Sequence, residues 1–220
     1  MDLCKPHHLI MLEEIIQYAT HLNILEGMGL IFGLLCVFFL IRENILTWPC
    51  GIIYVLISFV IFWQARLYGD FLLHIFFLVL NIYGWIYWTT GAKRETANKV
   101  MITALGLKEQ LFILSITAVG VFLFGIFLRE APMFIEGMAP ASLPFWDSTT
   151  SVLSITGMWL TARKKIDNWY YWLVVDILAT GIYYYKELYF YSLLYFIYIG
   201  LAIAGYVAWN RSMKTSTVDV

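Results

Sequence analysis

The chain has 220 residues, of which 61% are hydrophobic, 18% aromatic and only 13% charged, and its mean hydropathy is +0.77. Soluble domains run at about 45–50% apolar and about 25% charged residues, so there is too little polar surface here to clothe a water-facing globule. The net charge of -1, from 14 Lys and Arg against 15 Asp and Glu, excludes bulk attraction of nucleic acid. The composition is that of an all-α integral membrane protein.

In chain order, residues 9–22 come first as a short amphipathic helix, with Leu9, Leu12, Ile16 and Ala19 on one side and a place on the membrane surface. Glu13 and Glu14 interrupt its apolar character, so it does not read as a secretory signal. Polar breaks then separate seven apolar runs at 27–41, 46–65, 70–89, 110–128, 148–162, 169–185 and 188–209. These approach or meet the length of about 17–25 residues that a crossing helix needs. Pro49 falls in the first turn of the second run, where a helix tolerates it. Asn44 and Asn168 precede the second and sixth runs and are expected to cap them, with lining of the inner mouth as the alternative. Gly29-x-x-x-Gly33 allows close helix approach. With seven spans the termini face opposite sides. Lys5, Arg66, Arg129 and Lys186 lie on the N-terminal side. Arg42, Lys93, Arg94, Lys99, Lys108, Arg163, Lys164, Lys165, Arg211 and Lys214 lie on the other. The positive-inside rule puts the richer side in the cytoplasm, so the N-terminus is expected outside and the C-terminus inside.

The two ends of the chain repeat one another. Glu43-Asn44-x-x-x-Trp48 resembles Asp167-Asn168-x-x-x-Trp172, and Gly33 matches Gly157, at an offset of 124. Leu67-Tyr68, Leu72-Leu73, Gly84 and Trp88 match Leu188-Tyr189, Leu193-Leu194, Gly205 and Trp209 at an offset of 121, as a shortened turn between the second and third span would give. The expected organisation is an N-terminal amphipathic segment (1–26), a first three-helix repeat (27–90) and a second (147–210). Between the repeats, residues 91–146 hold a cytoplasmic loop, a linker helix at 110–128 and an external loop, and 211–220 form a cytoplasmic tail. A single helix between two odd-numbered units makes them run the same way. This 3+1+3 parallel pseudo-repeat is a transporter architecture like that of the SWEET carriers.

Ionisable groups inside a span default to functional roles. Trp169, Trp172, Asp176, Thr180 and Tyr183 fall in steps of three and four and so share one helix face, as do Asp70, His74, Phe77, Asn81 and Trp85. At about 1.5 Å per residue, Asp176 lies roughly 12 Å in from one side and Asn81 roughly 16 Å in from the other. Both depths fall near the middle of a core about 30 Å thick. At these offsets Asp176 matches Ile52, His74 matches Tyr195 and Asn81 matches Ala202. The polar groups are thus divided between the copies, as one composite site requires. Trp48, Trp85, Trp169, Trp172, Tyr195 and Tyr198 are its candidate aromatic walls; for Trp169, as for Trp88, interfacial anchoring is an equally good reading. An aromatic cage beside a carboxylate suits a flat, cationic, hydroxylated solute. The sequence is compatible with Asp176 either ionised or protonated.

Trp169-x-x-Trp172-x-x-x-Asp176, preceded by Asp167-Asn168, resembles the tryptophan signature of the PnuC family of bacterial vitamin transporters. Leu67-Tyr68-Gly69-Asp70, Asn81-Ile82-Tyr83-Gly84-Trp85 and Pro144-Phe145-Trp146-Asp147-Ser148 also look like that family, and the resemblance covers roughly residues 27–210. It implies uptake of nicotinamide riboside across a bacterial inner membrane by facilitated diffusion. Phosphorylation by a cytoplasmic kinase would trap the product, and the assembly would be a homotrimer with one path per protomer. It also implies binding roles for Trp172 and Asp176, a polar contact from Asn81, and His74 where the family often has Gln. Thiamine and riboflavin, carried by relatives, are the alternative substrates, and proton coupling through Asp176 and His74 is the alternative mechanism.

Other classes fit less well. A photoreceptor would need a Schiff-base lysine midway along the last span, and residues 188–209 contain none. An intramembrane hydrolase would need GxSxG or a second deep acid beside Asp176, and neither is present. Cys4, Cys36 and Cys50 read as small apolar residues, and His7, His8, His21 and His74 lack metal-ligand spacing. The sequence calls for no cofactor and no metal.

Overall fold

The computed structural model describes residues 7–21, 24–64, 68–91, 100–134 and 143–218. Cys4, Lys5, Arg66, the repeat position Leu67, the basic residues Lys93, Arg94 and Lys99, and most of the expected external loop lie outside them. Eight α-helices cover nearly all the described chain: α1 His7–His21, α2 Ile24–Ile41, α3 Thr47–Gln64, α4 Tyr68–Thr90, α5 Leu107–Glu130, α6 Pro144–Ala162, α7 Asn168–Tyr185 and α8 Tyr189–Val218.

The seven expected runs all fall on helices, with two boundaries displaced by four residues or more. Pro144 opens α6 four residues before the expected start, in the first-turn position where its missing N–H and fixed φ cost nothing. α8 continues nine residues past Trp209 because no Gly or Pro after Gly205 interrupts it. Five helices are long and apolar enough to cross a membrane: α2, α3, α4, α5 and α8. α6 and α7 are more polar. The hydroxyls of Thr149, Thr156 and Thr161 bond back to carbonyls one turn earlier in α6, which lowers the cost of burying them.

Six helices form a closed ring in the order α2, α3, α4, α6, α7, α8, with α8 returning to α2. α5 lies outside it against α6. It is fastened by a Thr117–Thr156 hydroxyl contact of 3.1 Å and by Ser148 Oγ donating to the Val121 carbonyl at 2.6 Å. α1 leans on α8, where the Tyr18 and Tyr191 hydroxyls meet at 2.6 Å.

Three helices end in the same hydrogen-bond pattern. At the end of α2 the Glu43 N–H reaches the Leu40 carbonyl and the Asn44 N–H the Phe39 carbonyl. Lys164 and Lys165 do the same to Thr161 and Leu160 in α6, as do Glu187 and Leu188 to Tyr184 and Tyr183 in α7. Glu43, Lys164 and Glu187 accordingly take φ of 52°, 56° and 58°, the left-handed conformation for which this motif usually uses glycine. Beyond the α2 end, Asn44 Oδ1 accepts the Leu46 N–H at 2.9 Å, a local turn ahead of α3 rather than the expected cap on its first turn. Asn168 also departs from that expectation. It is the first residue of α7, its amide donates to the Lys165 carbonyl at 2.6 Å, and its Oδ1 has no partner.

The local geometry of the first three-helix stretch recurs in the second at a uniform offset of 121. Trp48 lies against Gly84 and Trp169 against Gly205, so closely that a Cβ on either glycine would collide with the indole. The Trp48–Trp88 rings meet edge-on at 5.2 Å and 87°, and Trp169–Trp209 at 5.5 Å and 88°. Glu43 and Lys164 share the left-handed turn. The contact of α4 with α6 has its counterpart in that of α8 with α2. This corrects the 124 register read from the sequence. Trp48 corresponds to Trp169, not Trp172, and Asp176 corresponds to Val55, not Ile52. The similarity of Glu43-Asn44 to Asp167-Asn168 is a coincidence of residue type on different turn positions.

These glycine seats are testable. Gly84→Ala and Gly205→Ala should each destabilise the detergent-purified protein by about 1–3 kcal/mol through overpacking. A Cβ at Gly200 meets nothing within 4 Å, so Gly200→Ala should be neutral or stabilising by up to about 1 kcal/mol. Thermal unfolding midpoints of the three variants check the contrast.

Candidate functional site

Inside the ring the expected polar residues separate into two clusters. The first gathers where the α2–α3 and α6–α7 turns meet. Trp48, Trp88, Trp209 and Trp169 touch in sequence, the central pair 6.2 Å apart, and make a four-indole rosette with Leu40, Ile102, Ala162, Ile166 and Ala202. The Trp88 indole donates to the Ala162 carbonyl at 3.2 Å and the Trp209 indole to the Leu40 carbonyl at 2.9 Å. The indole nitrogens of Trp48 and Trp169 are buried without a partner.

The second cluster, called the chamber below, is a layer of polar and aromatic side chains inside the ring, beyond that rosette. His74 on α4 is 6% exposed, and its Nδ1 lies 2.9 Å from the Asp70 carbonyl. A carbonyl only accepts, so Nδ1 carries the proton and Nε2 presents a lone pair. That lone pair is buried without a partner among Tyr54, Phe62 and Phe77, whose rings lie 5.9, 4.7 and 5.2 Å away. Two turns on, Asn81 donates from Nδ2 to the Phe77 carbonyl at 2.8 Å, and its Oδ1 is left unbonded against Gly51 of α3. Gly51 has to be glycine here, because a Cβ would run into the Asn81 amide.

Asp176 on α7 is 6% exposed. Among the described residues no hydrogen bond or ion pair engages its carboxylate, whose electrostatic neighbours include Tyr195 and Tyr198. Tyr195 stacks on Tyr183 at 5.3 Å and meets Tyr198 edge-on at 5.8 Å. Gly33 leaves room for this wall, since a methyl there would sit 3.3 Å from the Tyr198 hydroxyl and 3.5 Å from the Tyr54 ring. Tyr54 therefore joins the His74 side of the chamber to the Asp176 side. Thr180 turns inward on its own helix, donating to the Asp176 carbonyl at 2.7 Å.

Trp172 stands between the clusters. Its ring packs across Gly157 of α6, and its indole donates to Thr161 Oγ1 at 3.1 Å. Of the expected site residues, His74, Asn81 and Asp176 are buried and Tyr195 and Tyr198 half-buried in the chamber layer, with Thr180 beside them. Trp172 lies at its edge, and Trp48 and Trp169 belong to the rosette. Trp85 is not brought to either, since it is 41% exposed on the outer face of α4. Tyr54 and Gly51 went unnoticed in the sequence. The signal for them was Gly51, Tyr54, Val55 and Ser58, an inward stripe on α3 at helical spacing. A groove of about 370 Å³ between α6 and α7, lined by Leu143, Trp146, Ile177 and Tyr185 among others, opens on the outside of the ring and holds none of this chemistry.

Comparison with known proteins places these features in a wider set. A family model described as nicotinamide mononucleotide transporter matches residues 23–211. The nicotinamide riboside transporter PnuC of Escherichia coli is 32% identical, over 97% of this chain and 96% of that protein. The riboflavin/roseoflavin transporter RibM of Streptomyces davaonensis is 24% identical, over 93% of each. A crystal structure of the vitamin B3 transporter PnuC superposes with a TM-score of 0.69 over 96% of this chain and 94% of that one, at 22% identity, which establishes a common fold.

The Trp172–Thr161 bond is measurable by itself. Trp172→Phe and Thr161→Val should each destabilise the protein, and their double-mutant cycle should give a coupling of about 0.5–1.5 kcal/mol, the net value of one hydrogen bond. Unfolding of the four proteins in detergent reads it.

Proposed function

Since the chain belongs to the nicotinamide mononucleotide transporter family of membrane carriers, the PnuC transporters, we propose that it carries nicotinamide riboside across a bacterial inner membrane by uncoupled facilitated diffusion. The observation that carries this reading is the chamber itself. It holds a carboxylate with no bonded partner, a histidine nitrogen and an amide oxygen both buried and unsatisfied, and walls of tyrosine. Leaving such groups unpaired costs stability, and a flat cation bearing hydroxyls satisfies them. The pyridinium ring suits the aromatic faces and the Asp176 carboxylate, while the ribose hydroxyls and carboxamide suit His74 Nε2 and Asn81 Oδ1. Trp172, anchored through Thr161, would close the chamber toward the rosette.

The wider reading keeps α2 to α8 as seven crossings, with two parallel three-helix units joined by α5 in the SWEET manner. The recurrence of geometry at 121 supports it, as does the exchange of the α4–α6 contact for α8–α2. The described basic residues Arg42, Lys108, Arg163, Lys165, Arg211 and Lys214 favour the rosette end as cytoplasmic, with the N-terminus outside. Assembly as a homotrimer and trapping by a cytoplasmic kinase belong to the same proposal. The Streptomyces davaonensis relative favours a second reading for the cargo, riboflavin in place of the riboside.

Flux of labelled nicotinamide riboside into liposomes holding the purified protein tests the function. Uptake should stop at equal concentrations, without alkalinisation outside. Asp176→Ala and Trp172→Ala should each slow it by about tenfold or more, and His74→Gln should stay within about threefold because an acceptor is retained. Unchanged flux in both alanine variants would overturn the site, and substrate-driven alkalinisation would replace uniport with proton coupling. Calorimetric titration against the riboside, thiamine and riboflavin ranks the cargo.

A further inference from the structure

Between the chamber and the basic end of the molecule lie contacts that run between the two three-helix units. The described polar links between these units gather there. They are the two indole-to-carbonyl bonds of the rosette, Arg163 donating to the Tyr83 hydroxyl at 3.0 Å, and an ion pair between Lys164 Nζ and Glu43 Oε2 at 2.7 Å. The ion pair is the buried one, with side-chain exposures of 1% for Lys164 and 9% for Glu43. The ammonium also donates to the Val100 carbonyl at 2.7 Å and lies 4.9 Å over the Trp88 ring. Its two members occupy equivalent places, the left-handed residues ending α2 and α6, at φ 52° and 56°. Glycine would relieve that backbone conformation at both positions, so the charged side chains stand there against local preference. A buried ion pair is close to break-even between a dry, paired state and a wet, separated one, because water recovers much of the lost Coulomb attraction. That property suits a contact which must hold and release.

We propose that Glu43 and Lys164 form the latch that keeps the rosette end closed, and that they part when the chamber opens to that side. The proposal deepens the transport reading and rests on it for its purpose, since a closed end has to open for a solute to leave.

The test reads access to the chamber directly, without substrate. Ala202 is buried at the inner edge of the rosette cluster, about two turns along α8 from Trp209. In full-length protein lacking its native cysteines, Ala202→Cys is exposed to a membrane-impermeant maleimide from the basic-end side. Lys164→Met and Glu43→Gln should each raise the labelling rate by about tenfold or more, and the swapped pair Glu43→Lys with Lys164→Glu should return it to within about threefold of the parent. Labelling unchanged in both single variants overturns the latch. So does labelling that stays raised in the swap, for loosened packing would do that regardless of charge pairing. Riboside flux through the wild type, measured separately, decides the transport reading: its absence would sink that reading while the labelling result still judges the latch.

Discussion

Each three-helix unit closes on an indole laid against a glycine, Trp48 on Gly84 and Trp169 on Gly205, and the rest of the ring takes its register from those two seats. The fit leaves no room for a methyl group, so it fixes how far α3 can slide on α4 and α7 on α8. The edge-on partners Trp88 and Trp209 then point across the ring, where each indole N–H finds a carbonyl of the opposite unit. Aromatic pairs of this kind add about 0.5–1.5 kcal/mol beyond the area they bury. A bundle whose helices slide against lipid with little hydrophobic preference depends on such shape-specific contacts.

With the register fixed, the differences between the two units become meaningful. Gly51 and Asn81 in one unit stand where Trp172 and Ala202 stand in the other, so a small residue facing a larger one is exchanged for the reverse. Val55 stands opposite Asp176 in the correspondence, and His74 opposite Tyr195. The duplicated frame is symmetric near the rosette and asymmetric in the chamber, the asymmetry that recognition of one solute under the proposed function calls for.

Much of this was legible in the amino-acid sequence. Helix positions followed from length and hydropathy, because a bilayer permits few alternatives. Asp176, His74 and Asn81 stood out because ionisable and amide groups are rare in apolar runs. The register of the repeat was misread because Glu43-Asn44 resembles Asp167-Asn168 by type, whereas what recurs is a left-handed turn occupied by Glu43 and Lys164, two residues of opposite charge. Trp48 and Trp169 were placed with the chamber because aromatic identity says nothing of facing; the glycines opposite them carried that information. Trp85 shares a helix face with Asn81 by spacing, yet it is 41% exposed, because spacing does not tell what lies opposite a face at each level. α6 and α7 are too polar for a simple hydropathy rule because they carry the hydroxyls and the carboxylate that the ring encloses.

The stretch from Val100 to Leu105 precedes α5 in the chain, yet its described bonds belong to the α6–α7 turn. Val100 caps the Lys164 ammonium, Thr103 exchanges backbone bonds with Lys164 and Ile166, and the Leu105 N–H is held by Asp167 at 2.7 Å. The segment from Val100 to Leu105 therefore belongs with the second three-helix unit. A polypeptide divided just after Gly106 would strip the second unit of the segment that braces its α6–α7 turn, where Lys164 also meets Glu43 of the first unit.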